Sequence, residues 1–142
     1  MIALDAYGLV AFLADEPARP EVAEVLSESC VISTVNFAES LDVLGRVHGI
    51  EEAELRRLVE PLQADAFEVQ APTVEDAWTA AALRTRHYDR ATNELSLADC
   101  FLLATAGRLG ASIATADPAV AATARAESIE LVALPDSSGT RP

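Results

Sequence analysis

Short apolar runs alternate with helical patterns along the whole chain. Ile2-Ala3-Leu4 is apolar at every position and reads as a buried strand. Leu9, Val10, Phe12 and Leu13 predict a helix reaching Ala14, broken by Asp15-Glu16-Pro17. Pro20 opens a second helix carrying Val22, Val25 and Leu26. Cys30-Val31-Ile32-Ser33-Thr34 is rich in β-branched residues and predicts the second strand. Ser33 or Thr34 then caps a helix with Phe37, Leu41, Leu44 and Val47 on one face, stopped at His48-Gly49. Glu51 to Leu62 carries Leu55, Leu58, Val59 and Leu62 at helical spacing, and Phe67-Glu68-Val69 is a third strand. Beyond Pro72-Thr73, the residues Val74, Ala77, Trp78, Ala81 and Leu83 predict a helix with Trp78 in the core. Residues 88–95 lack periodicity and read as a loop. Ser96 caps a helix from Leu97 to Leu109 that Gly110 ends. Ser112 to Thr115 is a fourth strand, Asp117-Pro118 starts a short helix, and Ile129 to Val132 is a fifth strand.

This alternation predicts an α/β fold: a central parallel β-sheet of about five strands with helices on both faces. No internal repeat and no linker divides the chain, so residues 1–135 form one domain and 136–142 a polar, disordered tail. Hydrophobic residues make up 51% of the chain but aromatics only 5%, which leaves the packing to Ala, Leu and Val. Cys30 and Cys100 sit among apolar neighbours without metal-ligand spacing and read as small reduced core residues. No apolar stretch has the length to span a bilayer, and Met1 leads into the first strand without a basic region. A soluble, cytoplasmic protein with no membrane partner is the expectation.

The net charge of −13 argues against broad attraction to nucleic acid or anionic membrane, yet leaves room for one locally basic or metal-loaded cleft. All ten basic residues are Arg. Lysine-based chemistry, from Schiff bases to the phosphate-loop lysine, is thereby excluded.

Four acids adjoin segments that must pack: Asp5, Glu39, Asp99 and Asp117. An unpaired buried carboxylate is costly, so it protonates, finds a cation or binds metal. Asp5 follows the first strand and Asp117 the fourth, so both emerge at the carboxyl edge of a parallel sheet, where sites gather. Glu39 lies early in the helix leaving the second strand. Asp99 lies in the first turn of the helix that leads into the fourth. All four therefore reach one edge and make an oxygen-rich site suited to Mg²⁺ or Mn²⁺, with phosphodiester hydrolysis as its natural reaction. Each has a plainer reading beside this one. Asp99 is also a first-turn acid favoured by the helix dipole, and Asp117 before Pro118 is also a good cap.

The segments Ile2-Ala3-Leu4-Asp5-Ala6, Asn36-Phe37-Ala38-Glu39, Leu95 to Ala106 around Asp99, and Thr115-Ala116-Asp117-Pro118 occur in the order found in PIN-domain ribonucleases. The chain resembles the VapC-type toxins of bacterial toxin–antitoxin pairs. That resemblance implies a central parallel sheet, acidic metal ligands and catalytic residues at Asp5, Glu39, Asp99 and Asp117, and cleavage of RNA with Mg²⁺ or Mn²⁺. It implies a cognate antitoxin covering the cleft and a homodimer. Thr115 matches a hydroxyl residue that orients the site in many relatives. One departure stands out: many relatives carry Ser, Thr or Asn within two positions after the first Asp, where this chain has Ala6 and Tyr7. Either that supporting hydroxyl is missing or Tyr7 replaces it from another geometry.

Arg84, Arg86, His87 and Arg90 form the densest basic segment. The plain reading is a solvated helix end. The functional one has Arg84, Arg86 and Arg90 gripping RNA phosphates while Tyr88 stacks on a base. His48 and His87 lack paired ligand spacing and read as surface or helix-end residues. A phosphatase that also places Asp after strand one wants a second Asp where Tyr7 stands, and a lysine. A non-catalytic PIN-fold interaction module is the remaining alternative.

Overall fold

A computed structural model describes residues 1–142. Five strands, β1 (Ile2–Leu4), β2 (Cys30–Ser33), β3 (Glu68–Gln70), β4 (Ser112–Thr115) and β5 (Leu131–Ala133), form one sheet in the order β3-β2-β1-β4-β5. Every neighbouring pair is parallel. Seven helices connect them: α1 (Ala6–Leu13), α2 (Arg19–Leu26), α3 (Thr34–Arg46), α4 (Glu52–Asp65), α5 (Val74–His87), α6 (Leu97–Leu109) and α7 (Pro118–Ala126). The α/β fold and each expected element are present. β3 and β5 begin one and two residues later than the apolar pattern suggests.

Strand alternation divides the core into two layers. Ile2, Leu4, Cys30, Ile32 and Ala114 face one side, with Leu9 of α1, Val22 of α2 and Val59 of α4. Ala3, Val31 and Ile113 face the other, against Leu83 of α5, Leu102 and Leu103 of α6 and Val120 of α7. Helix α1 lies so close over β1 that a Cβ on Gly8 would fall 2.4 Å from the Leu4 Cδ1. Leu4 is fully buried and has little room to yield, so glycine is required there. Both cysteines are free and buried, as expected. Burial pushes their thiols up, to about 12 for Cys30 and about 11 for Cys100, which keeps them unreactive.

Helix α5 turns a different face inward than its apolar pattern suggests, while α3 keeps Phe37, Leu41 and Leu44 against the core and buries polar residues beside them. On α5 the buried positions are Asp76, Ala80 and Leu83, while Trp78 is 71% exposed and Val74 78%. Trp78 is therefore a surface residue, not core. A charged residue occupies the core stripe because Arg108 of α6 reaches it: its Nε lies 2.9 Å from both Asp76 carboxylate oxygens. Asp76 also closes a capping box with Thr73. On α3 the buried stripe is Asn36, Ser40 and Leu44, and Val47 is exposed. The segment after β5 closes as a turn. Asp136 Oδ1 accepts from the Ser138 and Thr140 amides, and Arg141 reaches the Ala133 carbonyl and Glu21.

The Asp76–Arg108 pair clamps the start of α5 to the end of α6. The pairing holds the Asp76 carboxyl below its ordinary value, so its stabilisation is present above the unfolded carboxylate range and is lost as pH falls through the lowered value. Arg108→Met leaves Asp76 buried without its cation. We expect a loss of about 2–3 kcal/mol in urea unfolding at neutral pH, at the low end for buried pairs because Arg108 is partly solvated. The deficit should shrink in acid; a constant deficit would mean lost packing rather than lost charge.

Candidate active site

The register of the central strands sets the first contact. Leu4 pairs with Ala114, so the next residues, Asp5 and Thr115, stand side by side beyond the sheet. The Thr115 hydroxyl donates to Asp5 Oδ2 at 2.6 Å and accepts from the Asp117 amide at 3.0 Å. One buried hydroxyl thus ties two of the predicted acids together. Asp117 caps α7, its Oδ1 accepting from the Ala119 and Val120 amides. Asp99 closes a capping box on α6: Oδ2 accepts from the Ser96 amide at 2.6 Å, and the Ser96 hydroxyl accepts from the Asp99 amide at 3.0 Å. Both acids close helix starts, as the plain reading of each expects.

Asp5, Glu39, Asp99 and Asp117 line one cavity of about 440 Å³. No arginine or histidine is among its lining residues. Burial pushes the Asp5 carboxyl up to about 7; the Thr115 bond opposes the rise, and the charges of Asp99 and Asp117 add to it. Glu39 is also raised, by burial and then by Asp99, Asp42 and Asp117. Asp99 is raised by burial and by Asp117, against its bonds to Ser96 and the nearby charge of Arg84.

The donor set suits a hard divalent cation. Each aspartate spends one oxygen on a positioning hydrogen bond and leaves the other without a protein donor, and Glu39 accepts none. All the free donors are carboxylate oxygens, the ligand class of Mg²⁺ and Mn²⁺. The acids share a cavity, yet no three carboxylate, histidine or cysteine side chains are gathered as a ready-made metal cage. Three of the four are held by helix-start or strand-end contacts.

Polar residues that the apolar pattern conceals hold this frame. The Ser33 hydroxyl donates to Asn36 Oδ1 and accepts from the Asn36 amide. Asn36 Nδ2 donates to the Ala98 carbonyl at 3.4 Å, joining α3 to the turn that carries Asp99. The Ser40 hydroxyl donates back to the Asn36 carbonyl at 2.8 Å, with the Ala6 carbonyl farther off at 3.2 Å. Their spacing at 33, 36 and 40 follows one helix face, and that is the signal that marks them in sequence. Tyr7 does not supply a hydroxyl to the acids. Its O–H donates to the Pro135 carbonyl at 3.1 Å, and burial with Glu16 nearby pushes it up to about 12, so it stays a donor.

The basic segment divides. The Arg84 guanidinium lies over the Tyr88 ring, 4.7 Å from its centroid, near enough to Asp99 to oppose its shift. Arg86 pairs with Glu127 at 3.2 Å and borders a separate groove with Asp76 and Arg108. Arg90 is exposed on the loop. His87 contacts Glu127 at 2.6 Å, and His48 is exposed; neither lines the acid cavity.

Asp5 makes pH a probe of the site. Its folded value lies above the unfolded one, so the native state holds the extra proton between about pH 4 and 7. Metal-free protein should therefore lose stability as pH rises through that window, by at most on the order of 4 kcal/mol from this group. Asp5→Asn should flatten the slope and raise Tm near neutral pH. Equal slopes for the two proteins across that window would refute the assignment.

No curated protein matches the sequence significantly. Solved structures do match in fold. VapC20 from Mycobacterium tuberculosis, described as a sarcin-ricin loop cleaving toxin, superposes with a TM-score of 0.69 at 17% identity, over 86% of this chain and 94% of that one. FitAcB from Neisseria gonorrhoeae gives 0.64 at 23% identity, over 92% and 96%. VapBC2 from Rickettsia felis, bound to a promoter DNA fragment, gives 0.65 at 16% identity, over 93% and 98%. The PIN domain family model matches residues 2–126, which carry all four acids and the sheet edge that presents them, and the chain belongs to the PIN domain family.

Proposed function

We propose that this protein is a divalent-metal-dependent endoribonuclease, the toxin of a toxin–antitoxin pair. The observation that carries the reading is the carboxylate-lined cavity at the carboxyl edge of the sheet, where each aspartate keeps an unspent oxygen. Asp5, Asp99 and Asp117, with Glu39, would hold Mg²⁺ or Mn²⁺, which neutralises phosphate charge and acidifies water. Thr115 fixes Asp5 and Asp117 in relation to each other. Glu39 is free of hydrogen bonds and raised above an ordinary glutamate, which suits a carboxylate that takes a proton from the attacking water at its Oε atoms. Arg84 and Tyr88, with Arg90 beyond them, would meet RNA phosphates and bases. Arg86 is engaged by Glu127 and has the weakest claim of the four.

Several fold neighbours are toxin–antitoxin complexes, which supports a cognate antitoxin as partner. The acidic chain suits a basic antitoxin segment over the cleft. A homodimer belongs to the same reading, and the exposed Val74 and Trp78 of α5 offer an apolar face for another chain. No helix is long and apolar enough to cross a membrane. We assign the protein to the cytoplasm, where such a toxin meets its RNA.

Purified protein should cleave RNA with Mg²⁺ or Mn²⁺ and stop on chelation. Asp99→Asn, prepared in parallel, should fall by at least about a hundredfold. Mn²⁺ should raise the Tm of the wild type and leave Asp99→Asn unmoved. Wild type that cleaves none of a varied RNA panel with either metal would leave the non-catalytic interaction module as the better description.

A further inference from the structure

The cavity wall opposite α3 comes from the C-terminal turn, beyond the residues that the family model matches. Asp136 and Ser137 line the cavity beside the acids. The lining is rich in acceptors: besides the four acids it includes Asp136, whose Oδ1 is spent on the Ser138 and Thr140 amides. Tyr7 spends its hydroxyl on Pro135. Ser137 is the exception. Neither its amide nor its hydroxyl makes a hydrogen bond, and the residue is exposed. A polyanionic strand entering this cavity meets five carboxylates among its lining residues, and Ser137 offers two unspent donors.

We infer that Ser137 is a substrate-binding residue whose N–H and O–H donate to a phosphate oxygen of single-stranded RNA, and that Tyr7 is the positioning residue that holds it there. This deepens the nuclease reading and rests on it. The turn is built for the task at both ends. Leu134 is fully buried, its amide donating to the Thr115 carbonyl at 2.9 Å, which anchors the turn to the strand end that also orients Asp5. Tyr7 latches the next residue, and the Arg141–Glu21 pair at 2.7 Å closes the far end. Asp136 fixes the turn through its own amide contacts, which leaves the neighbouring serine facing the cavity. The Tyr7 at which the chain departs from many relatives thus serves the substrate wall, not the carboxylates.

The test uses the full-length protein and a short labelled single-stranded RNA, read by anisotropy with Ca²⁺, which fills oxygen sites but is a poor Lewis acid, and by cleavage kinetics with Mn²⁺. Ser137→Ala should weaken binding about three- to tenfold, the worth of one hydrogen bond. Ser137→Glu should weaken it more, and Ser137→Thr should restore wild-type binding. Tyr7→Phe should raise KM while kcat holds, because the turn loses its latch but the acids keep their places. Binding and KM that stay within twofold across all four variants, in a protein that cleaves RNA, would overturn the inference and leave the nuclease reading intact. The expected binding order without any cleavage would do the reverse. A protein that neither binds nor cleaves the RNA would overturn both.

Discussion

A carboxylate buried at the end of the central strand is the constraint around which this fold is arranged. Asp5 follows β1, the middle strand of the sheet, and is only 5% exposed. Little of it reaches water, and no arginine lines the cavity. Its one strong support is the Thr115 hydroxyl, delivered by the register between β1 and β4. A one-residue slip of β4 would turn that hydroxyl to the opposite face and bring an alanine beside Asp5. Strand pairing at the core and the chemistry of the edge are therefore one specification.

The acids were legible because their signals are local. Each lies beside a strand end or a helix start, and those are the features that short sequence patterns reveal best. The same holds for the β-strands and for the caps at Ser96 and Gly110, which ended α6 where expected. What escaped was non-local. The pairing of Asp76 with Arg108 spans 32 positions, and that of Tyr7 with Pro135 spans 128. Without Arg108, Asp76 has no place in a core, so the apolar pattern assigned α5 the wrong inner face and buried Trp78. On α3 the apolar face stands, with Phe37, Leu41 and Leu44 against the core, but the sequence pattern missed that Asn36 and Ser40 are buried beside it, where Ser33 and Asn36 satisfy one another and the Ala98 carbonyl. The acids' shared cavity was legible too, because each sits where a strand ends or a helix begins.

The overall acidity is less of an obstacle to an RNA substrate than its size suggests. At physiological ionic strength charges separated by more than about 8 Å in solvent are largely screened. Many of the acids on α3 and α4 are already paired with arginines one turn away. What a phosphate feels inside the cavity is set by the near groups, and there the carboxylates dominate. A divalent cation held there would reverse the sign of that field at one point, and the Arg84 charge already acts on Asp99. Net charge governs approach; the few ångströms around the acids govern binding.

A site made of repelling carboxylates weakens the structure that carries it, so rigidity has to come from elsewhere. Its sources are distributed around the cavity rather than in it. The capping boxes on α5 and α6 fix two helix starts, the Asp76–Arg108 clamp locks those helices together, and the bonds of Asn36 to Ser33 and Ala98 pin α3 to β2 and α6. These contacts leave the acids' second oxygens untouched. A frame that satisfied every carboxylate with protein donors would be more stable and could not take a cation. The unspent oxygens are the price of function, and the surrounding polar bonds are what make them tolerable.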